Sequence, residues 1–257
     1  MHPVRAEALR QLRQSVAQID HTAHALVPRS PLPLGVASLD AALGGGLSFG
    51  ALHELAPALP VDTGTATGFA LALAARSKGP VLWLQTDYGQ RENGALYGPG
   101  LDLFGLPLHR LTILTAARGE DILWAMEEAL RSRAVTLVIG DLPNERITDD
   151  GAAARRLAFT ARDAGGLGLL LRPQPALAPS AATTRWQIAS APAGTDQFGG
   201  LGRATFALSL TKNRRGPCGR WLISWDHHEC VFTEALSLGV AAPARDRSDR
   251  APVTRTA

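Results

Sequence analysis

VTLVIGDLPNERITDDGAAARRLAFTARDAGGLGLLLR (residues 135–172) holds two short apolar runs, VTLVIGD (135–141) and LGLLLR (167–172), on either side of a helical stretch, DGAAARRLAFTARDAG (150–165). Neither run alternates apolar with polar residues, so each reads as a strand buried on both faces. Strands of that kind joined through helices indicate a mostly parallel sheet with helices on both sides. Working outward, PVLWLQT (80–86) and LTILTA (111–116) read as further buried strands, and EDILWAMEEALRS (120–132) as an amphipathic helix. Upstream come a short strand, LHEL (52–55), an irregular stretch, APALPVDTGTATG (56–68), and an apolar helix, FALALAARS (69–77).

After residue 184 the rhythm changes. TRWQIASA (184–191), ATFALSLTKN (204–213), GRWLISWD (219–226) and CVFTE (230–234) are strands with short joins. In the second, Phe206, Leu208 and Leu210 alternate with smaller or polar residues, as in a half-buried antiparallel strand. These strands extend the sheet or form a small meander beside it. The fold class expected is therefore α/β, a three-layer domain over residues 31–241 with a mostly parallel sheet and antiparallel C-terminal strands. At the N-terminus, Leu9, Leu12, Val16, Ile19, Ala23 and Leu26 recur at spacings of three and four, one apolar stripe on a helix over 4–27. PRSPLPLG (28–35) then reads as a linker, and residues 1–30 form a separate helix-and-linker segment. That helix either packs on its own domain or docks on a partner. Residues 242–257 have no apolar periodicity and read as a disordered tail.

The chain has 257 residues, 46% of them hydrophobic, enough to bury a full core. Of its 26 basic residues only Lys78 and Lys212 are lysine, leaving 24 arginines, and the net charge is +3. A charge that small says little about a nucleic-acid partner unless it is concentrated. Residues 203–220 do concentrate it, holding Arg203, Lys212, Arg214, Arg215 and Arg220 and no carboxylate. Arg214, Arg215 and Arg220 flank a turn, GPCG (216–219), and should sit exposed at one end of the sheet as a contact for a protein partner or DNA, or as a solvated face. Two cysteines make no disulfide framework, and no apolar stretch has the length of a membrane span. The opening residues lack a secretory signal's apolar core, so a cytoplasmic location and no membrane partner are expected.

LPLGVASLDAALGGGLSFGALHEL (32–55) resembles the lead-in to the RecA-like ATPase core, where a segment G-x-x-x-L-D-x-x-L-G-G-G-L precedes the first strand. Gly35, Leu39, Asp40, Leu43, Gly44, Gly45, Gly46 and Leu47 match it, and Gly50 precedes the strand. The likeness breaks at the phosphate loop. A working loop needs a Gly-rich turn of N–H groups, a lysine for the β/γ oxygens and a hydroxyl for Mg²⁺. Here Gly64 and Gly68 flank Thr65, Ala66 and Thr67, and no Lys or Arg occurs between Pro57 and Leu73. Asp141 ends a strand where a Walker-B carboxylate would sit, and Asp87 lies near the position of a water-activating carboxylate. Both are vestigial candidates at the strand ends where α/β ligand sites form. With no lysine in the loop, the plain reading of each as a helix-cap or loop carboxylate is favoured. Lys212 and Arg214 match two basic residues that in RecA reach nucleotide across a subunit interface. Residues 172–185 fall where RecA's main DNA-contacting loop would be, but with basic ends and a bland Ala/Pro interior that predict weak DNA binding.

A RecA-like body with a degenerate phosphate loop resembles the ImuA family, accessory proteins of bacterial SOS mutagenesis that are similar also to the SulA cell-division inhibitors. SLDAALGGGL, LYGPGLDLFGLP, KNRRG and WDHHE carry most of this resemblance, which spans roughly residues 1–235. With no cation in the loop, hydrolysis should be very slow or absent, so a non-catalytic role with no cofactor is expected, weak nucleotide binding by the backbone being the alternative. The resemblance implies three partners: an inactive Y-family polymerase homologue, an error-prone C-family DNA polymerase and RecA, with DNA met through the complex. The alternatives are an ATP-binding RecA-like repair protein and a SulA-like division inhibitor. Cys218, His227, His228 and Cys230 offer soft ligands, but C-x₈-H-H-x-C matches no tetrahedral zinc spacing, so a buried cysteine and strand-end histidines are expected.

Overall fold

A computed structural model describes residues 29–143, 150–175, 178–194, 200 and 202–235. The helix expected over 4–27 and the tail over 242–257 lie outside the described residues. Among the described residues nine strands form one sheet: β1 (Ala51–Pro57), β2 (Val81–Thr86), β3 (Leu111–Ala116), β4 (Leu137–Asp141), β5 (Leu167–Leu171), β6 (Thr184–Ser190), β7 (Thr205–Asn213), β8 (Gly219–Asp226) and β9 (Val231–Glu234). Their order is β3-β2-β4-β5-β1-β6-β7-β8-β9. Every pairing from β3 to β6 is parallel and every pairing from β6 to β9 antiparallel. The C-terminal strands thus extend the main sheet, and β6 joins it parallel to β1.

The helices are α1 (Ala37–Leu43), α2 (Thr63–Arg76), α3 (Asp87–Asn93), α4 (Gly98–Leu103), α5 (Gly119–Ser132) and α6 (Asp150–Ala164). Side chains alternate across each strand and feed two cores. One face packs Leu55, Val81, Trp83, Leu137 and Ile139 against α1 and α2, and the other packs Leu52, Leu84, Val138 and Leu170 against α5 and α6. The C-terminal strands add an aromatic cluster in which Phe69 of α2 lies 5.5–6.3 Å, centroid to centroid, from Phe232, Phe206 and Trp186. The alternation read in β7 is met, with Phe206, Leu208 and Leu210 all buried.

Local chemistry explains the glycine-rich lead-in. Leu39 and Leu43 bury α1, while Asp40 accepts the N–H groups of Leu34 and Gly35 at 2.7 and 2.9 Å. Gly44 ends the helix in the left-handed region, and Gly45 N–H closes onto Asp40 carbonyl. At Gly46 the chain passes so close to Leu32 that a Cβ would lie 2.2 Å from its carbonyl oxygen.

Three expectations need correcting. The second half of the supposed linker belongs to the body: Leu32 and Leu34 are buried, and Leu32 bridges Leu47 through paired backbone hydrogen bonds. LTILTA is an edge strand with Thr112, Ile113 and Thr115 exposed, because among the described residues β3 has only β2 as a neighbour. The supposedly irregular stretch 56–68 is mostly regular. β1 runs to Pro57, a 3₁₀ turn covers Pro60–Asp62, and α2 begins at Thr63. Among the described residues no helix is long and apolar enough to cross a membrane.

Candidate functional site

At the C-terminal edge of the parallel strands a cavity of about 250 Å³ opens beside the start of α2. Asp141 reaches it from the end of β4 and Gln85 from β2, brought side by side because Leu84 is in register with Gly140. Thr63, Gly64 and Thr67 supply the wall from α2, and the segment from Asn93 to Phe104 covers it. Phe104 packs down on α2 where Gly68 leaves room, since a Cβ there would meet the ring at 3.1 Å. Among the described residues no Lys, Arg or His lines the cavity. Burial pushes the Asp141 carboxyl up to about 7.

Gly64, Thr65, Thr67 and Gly68 therefore lie in the first turns of a helix rather than in an open phosphate cradle. In the connection before it, Pro60 has no N–H to offer, and Thr63 hydroxyl donates to Pro60 carbonyl at 2.7 Å. A helix start favours an anion, and Asp62 stands next to this one, but its carboxylate makes no capping bond to the helix. Buried Asp62 accepts Ser190 N–H at 2.8 Å, Ser190 hydroxyl at 2.9 Å and Leu59 N–H at 3.2 Å. The Ser190 N–H above all holds this carboxyl below its ordinary range. Asp87 is not brought to the cavity. It is the exposed first residue of α3, whose N-terminus is capped by Thr86 oxygen accepting from Gly89 N–H at 2.9 Å.

A second constellation was not anticipated. Glu54, Arg185 and Lys212 stand in register across β1, β6 and β7. Glu54 is 1% exposed and binds Arg172 at 3.0 Å, Arg185 at 2.9 Å and Ser180 hydroxyl at 2.6 Å. Burial pushes the Glu54 carboxyl up, but Arg172, Ser180 and Arg185 together hold it below its ordinary range. Lys212 donates to Ser180 carbonyl, and burial, with Arg214 and Arg185 nearby, lowers its ammonium. The sequence clue was a lone glutamate inside an apolar strand and the basic ends of the 172–185 connection. Those two arginines, expected beside a DNA-contacting loop, turn inward onto Glu54.

Arg214, Arg215 and Arg220 are exposed around the β7–β8 turn, as the spacing suggested. This turn lies at the N-terminal edge of the parallel strands, away from the cavity, since β7 ends beside the start of β6. Asn213 anchors it to α1 by donating to Ala42 carbonyl at 2.8 Å. Lys212 separates from these three by pointing into the Glu54 network. Arg203 lies at the far end of β7, paired with Asp226 at 2.7 Å. Cys218 is exposed at one end of β8, whereas His227, His228 and Cys230 sit beyond the other end, a strand length of roughly 25 Å away. The buried cysteine expected there is only partly so, at Cys230. Compared with known proteins, the chain matches no family model and no curated relative.

Proposed function

We propose that this chain is a non-catalytic accessory protein of SOS-induced translesion synthesis, a RecA-like domain of the ImuA type that works by binding proteins. The observation that carries the reading is a cavity with no cation among the described residues that line it. A strand–turn–helix unit and a strand-end carboxylate stand together, yet none of the described residues facing Asp141 would balance a triphosphate. Meanwhile Asp62 ties the turn ahead of the helix to the end of β6. A framework of this kind retains a rigid sheet for docking while giving up phosphoryl transfer.

The partner in direct contact is the inactive Y-family polymerase homologue, held at the Arg214, Arg215 and Arg220 turn. Arginine's planar fork pairs bidentately with carboxylates, and these three side chains are exposed on a turn fixed by Asn213. The error-prone C-family polymerase is reached through that homologue, and RecA is bound separately. The test replaces Arg214, Arg215 and Arg220 together with Ser and measures binding to the homologue and to single-stranded DNA at two salt concentrations. Loss confined to the homologue supports the assignment. An equal loss of salt-sensitive DNA binding moves the turn to nucleic-acid contact, and unchanged affinity for both removes it from either role.

A further inference from the structure

A groove of about 430 Å³ lies between the second halves of α5 and α6, on the face of the sheet opposite α2. The two helices run in the same direction. Arg156 meets Glu127 at 3.3 Å and, further along, Arg133 reaches Asp163 carbonyl at 3.4 Å. Arg131 and Arg156 both pair with Glu127, so that carboxylate is already shared. Arg133 donates only to an uncharged carbonyl among the described residues. Arg155 is exposed and has no hydrogen bond or ion pair with another described residue. Beside them Phe159 is 56% exposed, with the Arg162 guanidinium 5.1 Å above its ring.

Arg133 also has φ +59, in the left-handed region where a helix C-cap ordinarily has glycine. An arginine kept there accepts backbone strain and holds its guanidinium at the end of the groove. The groove therefore combines arginine charge unpaired among the described residues, an exposed ring and a pair of packed helices.

We propose that this groove binds an acidic peptide segment carrying an aromatic or large apolar side chain. Its carboxylates pair with Arg133 and Arg155, and its apolar side chain lies on Phe159. A nucleic-acid strand fits less well. Bases stack on a succession of aromatic platforms along a uniformly basic track, and here one ring is flanked by Glu127 and Asp163. Those carboxylates would repel closely spaced phosphates but leave room for isolated acidic side chains between the arginines. This surface is separate from the β7–β8 turn and does not depend on the role given to that turn.

The test uses the full chain and fluorescence anisotropy with a labelled peptide whose aspartates are separated by glycines and followed by a phenylalanine. The expected result is saturable binding that weakens with salt and is lost when the aspartates become asparagines. It should weaken at least tenfold in Arg133→Gly with Arg155→Ser and measurably in Phe159→Ser, yet persist in the Arg214, Arg215 and Arg220 triple serine variant. Glycine suits the left-handed position, so the first variant keeps its fold, which circular dichroism checks. Three results would overturn the proposal: no binding to the wild-type chain, equal affinity in the groove variants, or tighter binding of a labelled oligothymidylate with the same sensitivity to those variants.

Discussion

The carboxylate of Asp62 accepts both the backbone N–H and the hydroxyl of Ser190, at 2.8 and 2.9 Å, and so fastens the turn ahead of α2 to the end of β6. The place where an NTPase would admit a phosphate is thereby tied to the neighbouring strand. Asp62→Ala removes these bonds and the one from Leu59, and should cost about 3 kcal/mol in urea unfolding at pH 7. Ser190→Ala keeps the backbone donor and should cost about 1 kcal/mol. Because folding lowers the Asp62 carboxyl below its ordinary 3.8, its contribution is full above that value and disappears as pH falls through the folded value. The variant should show a flatter stability profile across that acid range.

Asp141 gives the opposite sign. Its carboxyl is raised by burial from 3.8 to about 7, so between those values the unfolded chain has released a proton that the folded chain retains. Stability should fall as pH climbs through that window. Asp141→Asn should raise the urea midpoint at pH 8 and leave it nearly unchanged at pH 4. A carboxyl-carbon NMR titration of the folded protein should show the group changing charge near neutrality.

Glu54 anchors Arg172 and Arg185 from inside the sheet. Glu54→Ala should destabilise the domain by about 3–5 kcal/mol, the cost of breaking a buried ion pair from one side. Chemical unfolding monitored by the fluorescence of Trp186, buried on β6 beside this network, is the readout. If the loss is below 1 kcal/mol, the cluster is solvated and its inward geometry is not what secures the 172–185 connection.

The glycine-rich lead-in separates two kinds of glycine. Gly44 has φ +72 with open space around it, so Gly44→Ala should cost about 1–2 kcal/mol from the left-handed backbone alone. Gly46→Ala adds a collision with Leu32 carbonyl and should cost clearly more, with thermal unfolding of both variants giving the comparison.

The buried parallel strands were legible because continuous apolar runs such as LGLLL have nowhere else to go. β3 was misjudged because LTILTA, taken alone, does not reveal whether a second strand lies beyond it. The start of α2 was missed because Gly64, Gly68 and three threonines are poor helix formers. Tertiary packing of Ala66, Gly68 and Phe69 overrides that weakness. Asp141 could be placed from its position at a strand end, and Asp87, one residue past its strand, starts a helix, in keeping with its plain reading as a helix-cap or loop carboxylate. The Glu54 cluster was out of reach for a different reason: its partners are 118 and 131 residues away, and only strand register brings them together.

Phosphate release from ATP by the purified full chain, with and without single-stranded DNA, tests the central claim most directly. With no cation lining the cavity among the described residues and the turn ahead of α2 tied to β6 by Asp62, no release above background is expected in either condition. Steady turnover that saturates with ATP and disappears in Asp141→Asn would contradict the account, because it would show that the cavity still carries out phosphoryl transfer.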